Sequence, residues 1–162
     1  MRSHPRWDAE HAAEIIKATA TLDGPLLPIL HALQHEFGYI DRAAIPMVAD
    51  ALNLSRAEVH GVVSFYHDFR EAPAGAHVLK LCRAEACQSM GGDALADATR
   101  DRLRIGWGET TADGRITLEP IFCLGLCACA PAAMLDGQVF GALDDTTIGD
   151  LIDSIPAGAA RP

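Results

Sequence analysis

The stretch HVLKLCRAEACQSMGG, residues 77–92, decides the fold of the second half of this 162-residue chain. Its first six residues alternate in the manner of a β-strand, and a cysteine closes that strand. A second stretch, ITLEPIFCLGLCACAP at residues 116–131, repeats the arrangement of a strand followed directly by a pair of cysteines. Because neighbouring parallel strands end at the same edge of a sheet, we expect the two cysteine pairs to lie close together.

The segments around these two stretches predict a small α/β domain over residues 74–162. Helical periodicity in residues 91–105 places Leu95, Ala98 and Leu103 on one side, which we expect to face the core. Asp-Gly pairs between apolar runs are typical of hairpin turns. The predicted order is a strand at 77–82, a helix at 91–105, a turn at 113–114, a strand at 116–121, a hairpin of residues 132–135 and 138–143, and a helix at 146–155.

Residues 1–73 predict a bundle of four short helices, the first of them over residues 8–22. Pro25 suits the start of the second helix, Gly38 suits its C-terminal cap, and Ser55-x-x-Glu58 is a capping box that opens the fourth. The residues expected on the inward face of the fourth helix are Val59, Val62, Val63 and Tyr66. The run EAPAG at residues 71–75 breaks the helical period and marks the domain boundary.

Composition narrows the possible functions. A formal net charge of −9 argues against binding to nucleic acid or to anionic membranes, both of which require a basic surface. No apolar run approaches the length of a membrane-spanning helix, and the charged beginning MRSHPRWDAEHAAE is unlike a signal peptide. We therefore expect a cytoplasmic protein whose helical bundle docks on another protein.

The cysteines are the candidate metal-binding or redox residues. Five cysteines in a chain without a secretion signal favour metal or redox chemistry over a disulfide framework. Four thiolates from two loops suit either a [2Fe-2S] cluster or a structural Zn²⁺ ion. The cluster is an anion that needs backbone N–H donors near its sulfurs, and small residues let the main chain approach. Such residues are Ala84, Ala86, Gly91, Gly92, Gly125 and Ala128. They favour the cluster, and a zinc-stabilised adaptor without a redox role and a disulfide remain alternatives.

The two cysteine stretches, together with ALNLSRAEVHGVVSFYHDF at residues 51–69, closely resemble the thioredoxin-like [2Fe-2S] subunit family of respiratory complex I. The resemblance implies a helical bundle followed by a thioredoxin-like [2Fe-2S] ferredoxin domain. It also implies that the ligands of one cluster are Cys82, Cys87, Cys123 and Cys127. Within the family, the forms CRAEACQ and CxCAP look more like the gamma subunit of soluble, NAD-dependent, molybdenum-containing formate dehydrogenase.

The resemblance implies partners that this chain serves. The expected partner is a flavoprotein that carries FMN and its own iron-sulfur cluster and binds NAD, and through it a molybdenum-containing large subunit. The chain itself shows no dinucleotide fingerprint, Walker motif or flavin signature, so we expect no catalysis from it alone. The equivalent subunit of complex I or of an NAD-reducing hydrogenase is the alternative within the same class.

Two further features have simpler interpretations. Cys129 is a fifth cysteine, whereas the family uses four ligands. We interpret it as a small, half-buried side chain near the cluster rather than as a spare ligand. His31 and His35 lie four residues apart on a predicted helix but have no evident third ligand. We expect them to be partly exposed polar positions.

Overall fold

The structure is a computed structural model that describes residues 4–156, and the chain divides into two compact units that meet in sequence between Pro73 and Ala74. Each unit has its own apolar core. The first unit consists of the helices α1 (Ala9–Thr19), α2 (Leu26–Phe37), α3 (Ala44–Leu52) and α4 (Arg56–Phe65). The second consists of β1 (His77–Cys82), α5 (Glu85–Ser89), α6 (Gly92–Leu103), β2 (Ile116–Ile121), β3 (Ala133–Leu135), β4 (Gln138–Phe140) and α7 (Asp145–Ser154).

The predicted helix ends of the first unit are confirmed at two caps. Gly38 adopts φ 81°, and its N–H donates to the carbonyl of Gln34, so the left-handed conformation that glycine allows ends α2. At the start of α4, the Ser55 hydroxyl accepts the N–H of Glu58, and the Glu58 carboxylate accepts the N–H of Ser55. These reciprocal bonds satisfy N–H groups that the first turn of a helix leaves without an intrahelical partner.

One prediction for α4 is wrong. Val59 and Val63 are buried as expected, but Val62 is only half-buried and Tyr66 is 44% exposed. The helix ends at Phe65, and the extended conformation of Tyr66 turns its side chain off the helical face. Likewise α1 ends at Thr19, three residues before the predicted boundary. No helix among residues 4–156 has the length and apolar character needed to cross a bilayer.

The sheet of the second unit has the strand order β2-β1-β3-β4. Strands β1 and β2 are parallel, with Cys82 opposite Ile121, so their carboxyl ends lie side by side as predicted. Strands β3 and β4 form the predicted antiparallel hairpin around Asp136 and Gly137, both of which have positive φ as a tight hairpin turn requires. A mixed α/β unit after a helical unit is the fold class that the sequence predicts.

Two helices and one strand of the second unit depart from the prediction. On α6 the buried face contains Ala96 and Thr99 besides Leu95 and Leu103, whereas Ala98 is only half-buried. The first cysteine loop contains a short helix, α5, that the sequence analysis treats as a loop. Strand β4 ends at Phe140 instead of residue 143, because the N–H of Ala142 turns away from the sheet to the carbonyl of Cys129.

Candidate metal centre

The structure brings four of the five cysteines together at the carboxyl ends of β1 and β2. Cys82 is the last residue of β1, Cys87 lies on α5, and Cys123 follows β2 after one residue. The sulfurs of Cys123 and Cys127 lie 3.8 Å apart, and the Cys87 thiol is close enough to Cys82 to lower the pKa of Cys82. A negative charge on Cys127 would raise the pKa of Cys87, and one on Cys82 would raise the pKa of Cys127, so the two pairs lie near each other.

All five cysteines are free thiols in this structure. The separation of 3.8 Å between the Cys123 and Cys127 sulfurs is far longer than the ~2.05 Å of a disulfide bond. The structure therefore does not form the disulfide that the sequence leaves open as an alternative.

The two pairs differ in exposure. Cys82 and Cys87 are buried, in a small cluster with Ala132 and the half-buried apolar side chains of Ala84, Ile121, Leu124, Leu126 and Ala130. Cys123 and Cys127 are exposed. The site is thus anchored in the protein through its first pair and open to the surface through its second.

The second pair lies in a constrained loop. Cys123 adopts φ 82°, a left-handed conformation that costs a non-glycine residue about 1–2 kcal/mol. Gly125 also has positive φ, and its N–H points back at the Cys123 sulfur at 3.4 Å. Backbone strain of this kind is typical of functional positions, where the surrounding structure maintains a geometry that the isolated chain would avoid.

Backbone N–H donors surround the sulfurs, which is the feature that an anionic iron-sulfur cluster requires. The N–H groups of Ala84, Cys123 and Leu124 lower the pKa of Cys82, and the N–H of Ala132 acts in the same direction on the pKa of Cys87. With the Gly125 N–H, which lies 3.4 Å from the Cys123 sulfur, main-chain N–H groups therefore act on three of the four thiols. The donor set therefore fits a group with thiolate ligands and a negative total charge.

The thiols differ in acidity. Burial tends to raise the pKa of Cys82, but the N–H groups of Ala84, Cys123 and Leu124 and the thiol of Cys87 stabilise its thiolate and bring its pKa below the ordinary value. Burial raises the pKa of Cys87, and the nearby Cys82 charge acts in the same direction. The hydrogen bond with Cys123 and the charge of Cys123 raise the pKa of Cys127. The surroundings of Cys82 therefore lower its pKa, whereas those of Cys87 and Cys127 raise theirs.

A two-iron cluster needs two thiolates on each iron, besides the bridging sulfides. The described thiols meet that need as two pairs. Among residues 4–156, no three Cys, His, Asp or Glu side chains converge on a point where a single metal ion could be held. His31 and His35 are both exposed, as expected, and the His31 ring packs on Phe69 with ring centroids 4.9 Å apart.

Cys129 differs from its prediction. Its side chain is exposed rather than half-buried. Its main chain is fixed, because its N–H donates to the carbonyl of Leu126 and its carbonyl accepts the N–H of Ala142. Sequence analysis missed Gly141, where a Cβ would lie 2.9 Å from the Cys129 Cβ. The only available signal was a glycine within the strand predicted at residues 138–143.

Comparison with known proteins agrees with this geometry. Residues 12–156 match the family described as thioredoxin-like [2Fe-2S] ferredoxin. One subunit of the NADH-quinone oxidoreductase of Mycobacterium tuberculosis (strain ATCC 25618 / H37Rv) is 38% identical over 144 residues, which are 89% of this chain and 57% of that protein. The HndA subunit of the NADP-reducing hydrogenase of Solidesulfovibrio fructosivorans is 35% identical over 128 residues, 79% of this chain and 75% of that one.

A solved structure is also similar. The crystal structure of an NAD⁺-reducing [NiFe]-hydrogenase in the air-oxidised state superposes with a TM-score of 0.64 at 29% identity, covering 80% of this chain and 22% of that chain. The present chain thus spans little more than half of its mycobacterial relative and a smaller part of the hydrogenase chain. The match over residues 12–156 nevertheless takes in most of both units. This chain belongs to the thioredoxin-like [2Fe-2S] ferredoxin family, which implies one [2Fe-2S] cluster.

Proposed function

We propose that this chain is the [2Fe-2S] electron-transfer subunit of an NAD-dependent formate dehydrogenase complex. Its cluster ligands are Cys82, Cys87, Cys123 and Cys127, and its partner is a flavoprotein that carries FMN and binds NAD. The observation that supports the cluster is the arrangement of two thiol pairs, with backbone N–H groups beside them, at the ends of two parallel strands. A bound cluster of this type accepts one electron at a time.

The residues of the chain have distinct tasks in this proposal. The register of β1 and β2 fixes Cys82 beside Ile121 and thereby sets the distance between the two ligand loops. The buried pair holds the cluster away from water, and the exposed pair gives electrons a short path to another protein. Because the polypeptide contains no recognisable nucleotide or flavin motif, the reaction with NADH belongs to the partner.

The choice of formate dehydrogenase depends on the sequence of the two loops. The first loop has the form CRAEACQ and the second the form CACAP, which resemble the gamma subunit of that enzyme. Similar proteins include subunits of an NADH-quinone oxidoreductase and of an NADP-reducing hydrogenase, and these favour a second candidate of the same class. In that candidate, the chain serves complex I or an NAD-reducing hydrogenase with the same ligands and the same kind of flavoprotein.

The first experiment identifies the metal. The full chain is purified anaerobically, and its iron, acid-labile sulfide and zinc are measured together with its visible and EPR spectra. We expect two iron and two sulfide per chain, a brown colour and a [2Fe-2S] EPR signal after reduction with dithionite. A colourless protein loaded with zinc contradicts the proposal and supports the zinc-stabilised adaptor.

The second experiment identifies the partner. NADH added anaerobically to the isolated chain should leave its visible spectrum unchanged, whereas NADH added with the purified flavoprotein should bleach it. Bleaching without the flavoprotein contradicts the assignment of the NAD site to the partner. In the native complex, formate-dependent reduction of NAD⁺ that co-purifies with this chain supports formate dehydrogenase. Co-purification with quinone reductase or hydrogenase activity supports the second candidate.

A further inference from the structure

Arg83 occupies a position between the two ligand loops that the sequence analysis did not single out. It follows Cys82 directly, its N–H donates to the carbonyl of Ile121 at 2.8 Å, and its carbonyl accepts from the Gln88 side chain at 3.0 Å. Its backbone is therefore bonded to the end of β2, next to the second loop, and to the residue after Cys87. The Arg83 backbone is thus held beside both proposed ligand loops.

The Arg83 side chain is held on the α6 side of the sheet. Its guanidinium lies 5.3 Å from the centre of the Trp107 ring and forms an ion pair of 2.8 Å with Asp93. Its Nε is buried and meets no hydrogen-bond acceptor among residues 4–156. A cation–π contact, a carboxylate and a buried Nε together immobilise a charged group that would otherwise extend into water.

The charge of Arg83 is only partly compensated by its partner. The side chain of Arg83 is 31% exposed, whereas that of Asp93 is 55% exposed. Water therefore screens the negative charge of the pair more strongly than the positive one. The uncompensated part of the charge of the ion pair is therefore positive. The two loops contain little other charge. Glu85 is the only charged residue in residues 84–92, and residues 120–132 contain none.

We propose that Arg83 raises the reduction potential of the cluster held by the proposed ligands. The oxidised cluster with four thiolates carries two negative charges, and one electron from an external reductant raises this to three. A nearby positive charge stabilises the reduced form more than the oxidised form, because the attraction grows with the added charge. The inference rests on the proposed ligand set and adds a residue that tunes its potential without touching it.

Arg100 offers a matched control within the same unit. Its guanidinium lies 5.9 Å from the centre of the same Trp107 ring, it pairs with Asp97 at 3.3 Å, and its Nε is also buried without an acceptor among the described residues. Its backbone belongs to α6, however, and not to a ligand loop. Arg100→Gln therefore removes a similar cation from the same Trp107 ring without changing a residue of a ligand loop.

The test is an anaerobic redox titration of the full cluster-loaded chain, monitored by EPR. At the wild-type midpoint, Arg83→Gln should lower the ratio of reduced to oxidised cluster by about tenfold, the size of effect expected from one partly buried unit charge. Arg83→Lys and Arg100→Gln should each stay within about twofold of the wild type. The double variant Arg83→Gln/Asp93→Asn removes both charges of the ion pair. Its midpoint potential should still be lower than that of the wild type, by less than in Arg83→Gln.

The outcomes separate the possible explanations. An unchanged midpoint in Arg83→Gln, an equal shift in Arg83→Lys, or a double variant with the wild-type midpoint overturns the role of Arg83. Wild-type visible and EPR spectra in each variant show that the ligands are intact, so that a shift reports charge rather than damage. Absence of a [2Fe-2S] signal in the wild-type chain overturns the proposed function, and the role of Arg83 with it.

Discussion

Gly92 lies against the main chain of Cys87. A Cβ at Gly92 would be 2.5 Å from the Cys87 carbonyl oxygen and 2.8 Å from its carbonyl carbon, both far inside van der Waals contact. Gly92 is the first residue of α6, and Cys87 lies on the short helix α5. The close packing of α6 on α5 therefore fixes the position of a proposed ligand, and it requires a residue without a side chain.

We expect Gly92→Ala to displace the Cys87 backbone. The overlap should cost about 1–3 kcal/mol of unfolding free energy, as overpacking in a close-packed interior typically does. Iron content should fall because Cys87 moves relative to the other thiols. Gly61→Ala is the control, since a Cβ at Gly61 on α4 meets nothing within 4 Å. It should keep its iron and match or exceed the wild-type thermal midpoint. Equal iron content in the two variants would contradict the structural role of Gly92.

The capping box of α4 gives a prediction about acid stability. The backbone N–H and then the hydroxyl of Ser55 lower the pKa of Glu58 below its ordinary value. A carboxyl group with a lower pKa in the folded state stabilises the protein above its unfolded-state pKa, and this contribution is lost as the pH falls through the folded-state pKa.

Glu58→Gln tests this contribution, because glutamine keeps the capping geometry and does not titrate. The thermal midpoint of the wild type should exceed that of the variant near neutral pH, and the difference should shrink as the pH falls below the ordinary range of glutamate. Cluster loss in acid affects both proteins equally and cancels in the difference. Asp144→Asn repeats the test at α7, where the N–H and hydroxyl of Thr147 lower the pKa of Asp144. A difference that is constant with pH would contradict the assignment.

Much of the site could be predicted because the sequence patterns that indicate it lie within short segments of the chain. Alternation in residues 77–82 identifies a strand, and a cysteine at the end of each parallel strand places the two pairs at one edge. Helix α5 could not be found by periodicity, since five residues make little more than one turn. The left-handed conformation of Cys123 had no signal either, because residues in that region are usually glycine and this one is not.

The exposure of individual residues was the least predictable feature. Tyr66 continues the apolar spacing of α4, yet the helix ends one residue earlier and the side chain faces solvent. Cys129 is exposed because the turn after Cys127 is fixed by backbone bonds to Leu126 and Ala142, the second of which is distant in sequence. Both errors come from chain geometry that depends on neighbouring segments rather than on the residue itself.

Phe122 should take part in partner binding. It is 71% exposed and immediately precedes Cys123, in a stretch from residue 120 to residue 132 that contains no charged side chain. Exposed aromatic residues in surroundings depleted of charge are typical of interface cores. Because the exposed ligands lie here, the proposed flavoprotein must approach this end for rapid electron transfer.

We expect Phe122→Ser to weaken flavoprotein binding by about tenfold or more. Its own folding stability should change by less than about 0.5 kcal/mol, since the ring is mostly in solvent. Val139→Ser on β4 is the control, an exposed apolar position of the same unit away from the cysteines in sequence. Isothermal titration calorimetry with the purified flavoprotein compares the two variants. An equal loss of affinity in both, or in neither, would contradict a specific role of Phe122.

The ligand set is tested by serine substitution of each cysteine. Four thiolates saturate a two-iron cluster, so a fifth thiol has no vacant coordination position. Replacement of Cys82, Cys87, Cys123 or Cys127 should abolish or strongly destabilise the cluster. Cys129→Ser should keep two iron per chain and a [2Fe-2S] EPR signal, because the Cys129 side chain is exposed and only its main chain is bonded to Leu126 and Ala142.

Cys127 and Cys129 form the decisive comparison, since both are exposed and both lie in one turn of 3-10 helix that spans Cys127–Cys129. The Cys127 sulfur lies 3.8 Å from that of Cys123, and a charge on Cys127 would raise the pKa of Cys87 in the buried pair. Cys127→Ser should therefore lose iron or show a spectrum altered by an oxygen ligand, whereas Cys129→Ser should not. If Cys129→Ser loses its iron and Cys127→Ser retains an unaltered four-sulfur spectrum, the second ligand pair is Cys123 and Cys129. The distance of 3.8 Å between the Cys123 and Cys127 sulfurs would then result from the conformation of the loop and not from coordination of the same cluster.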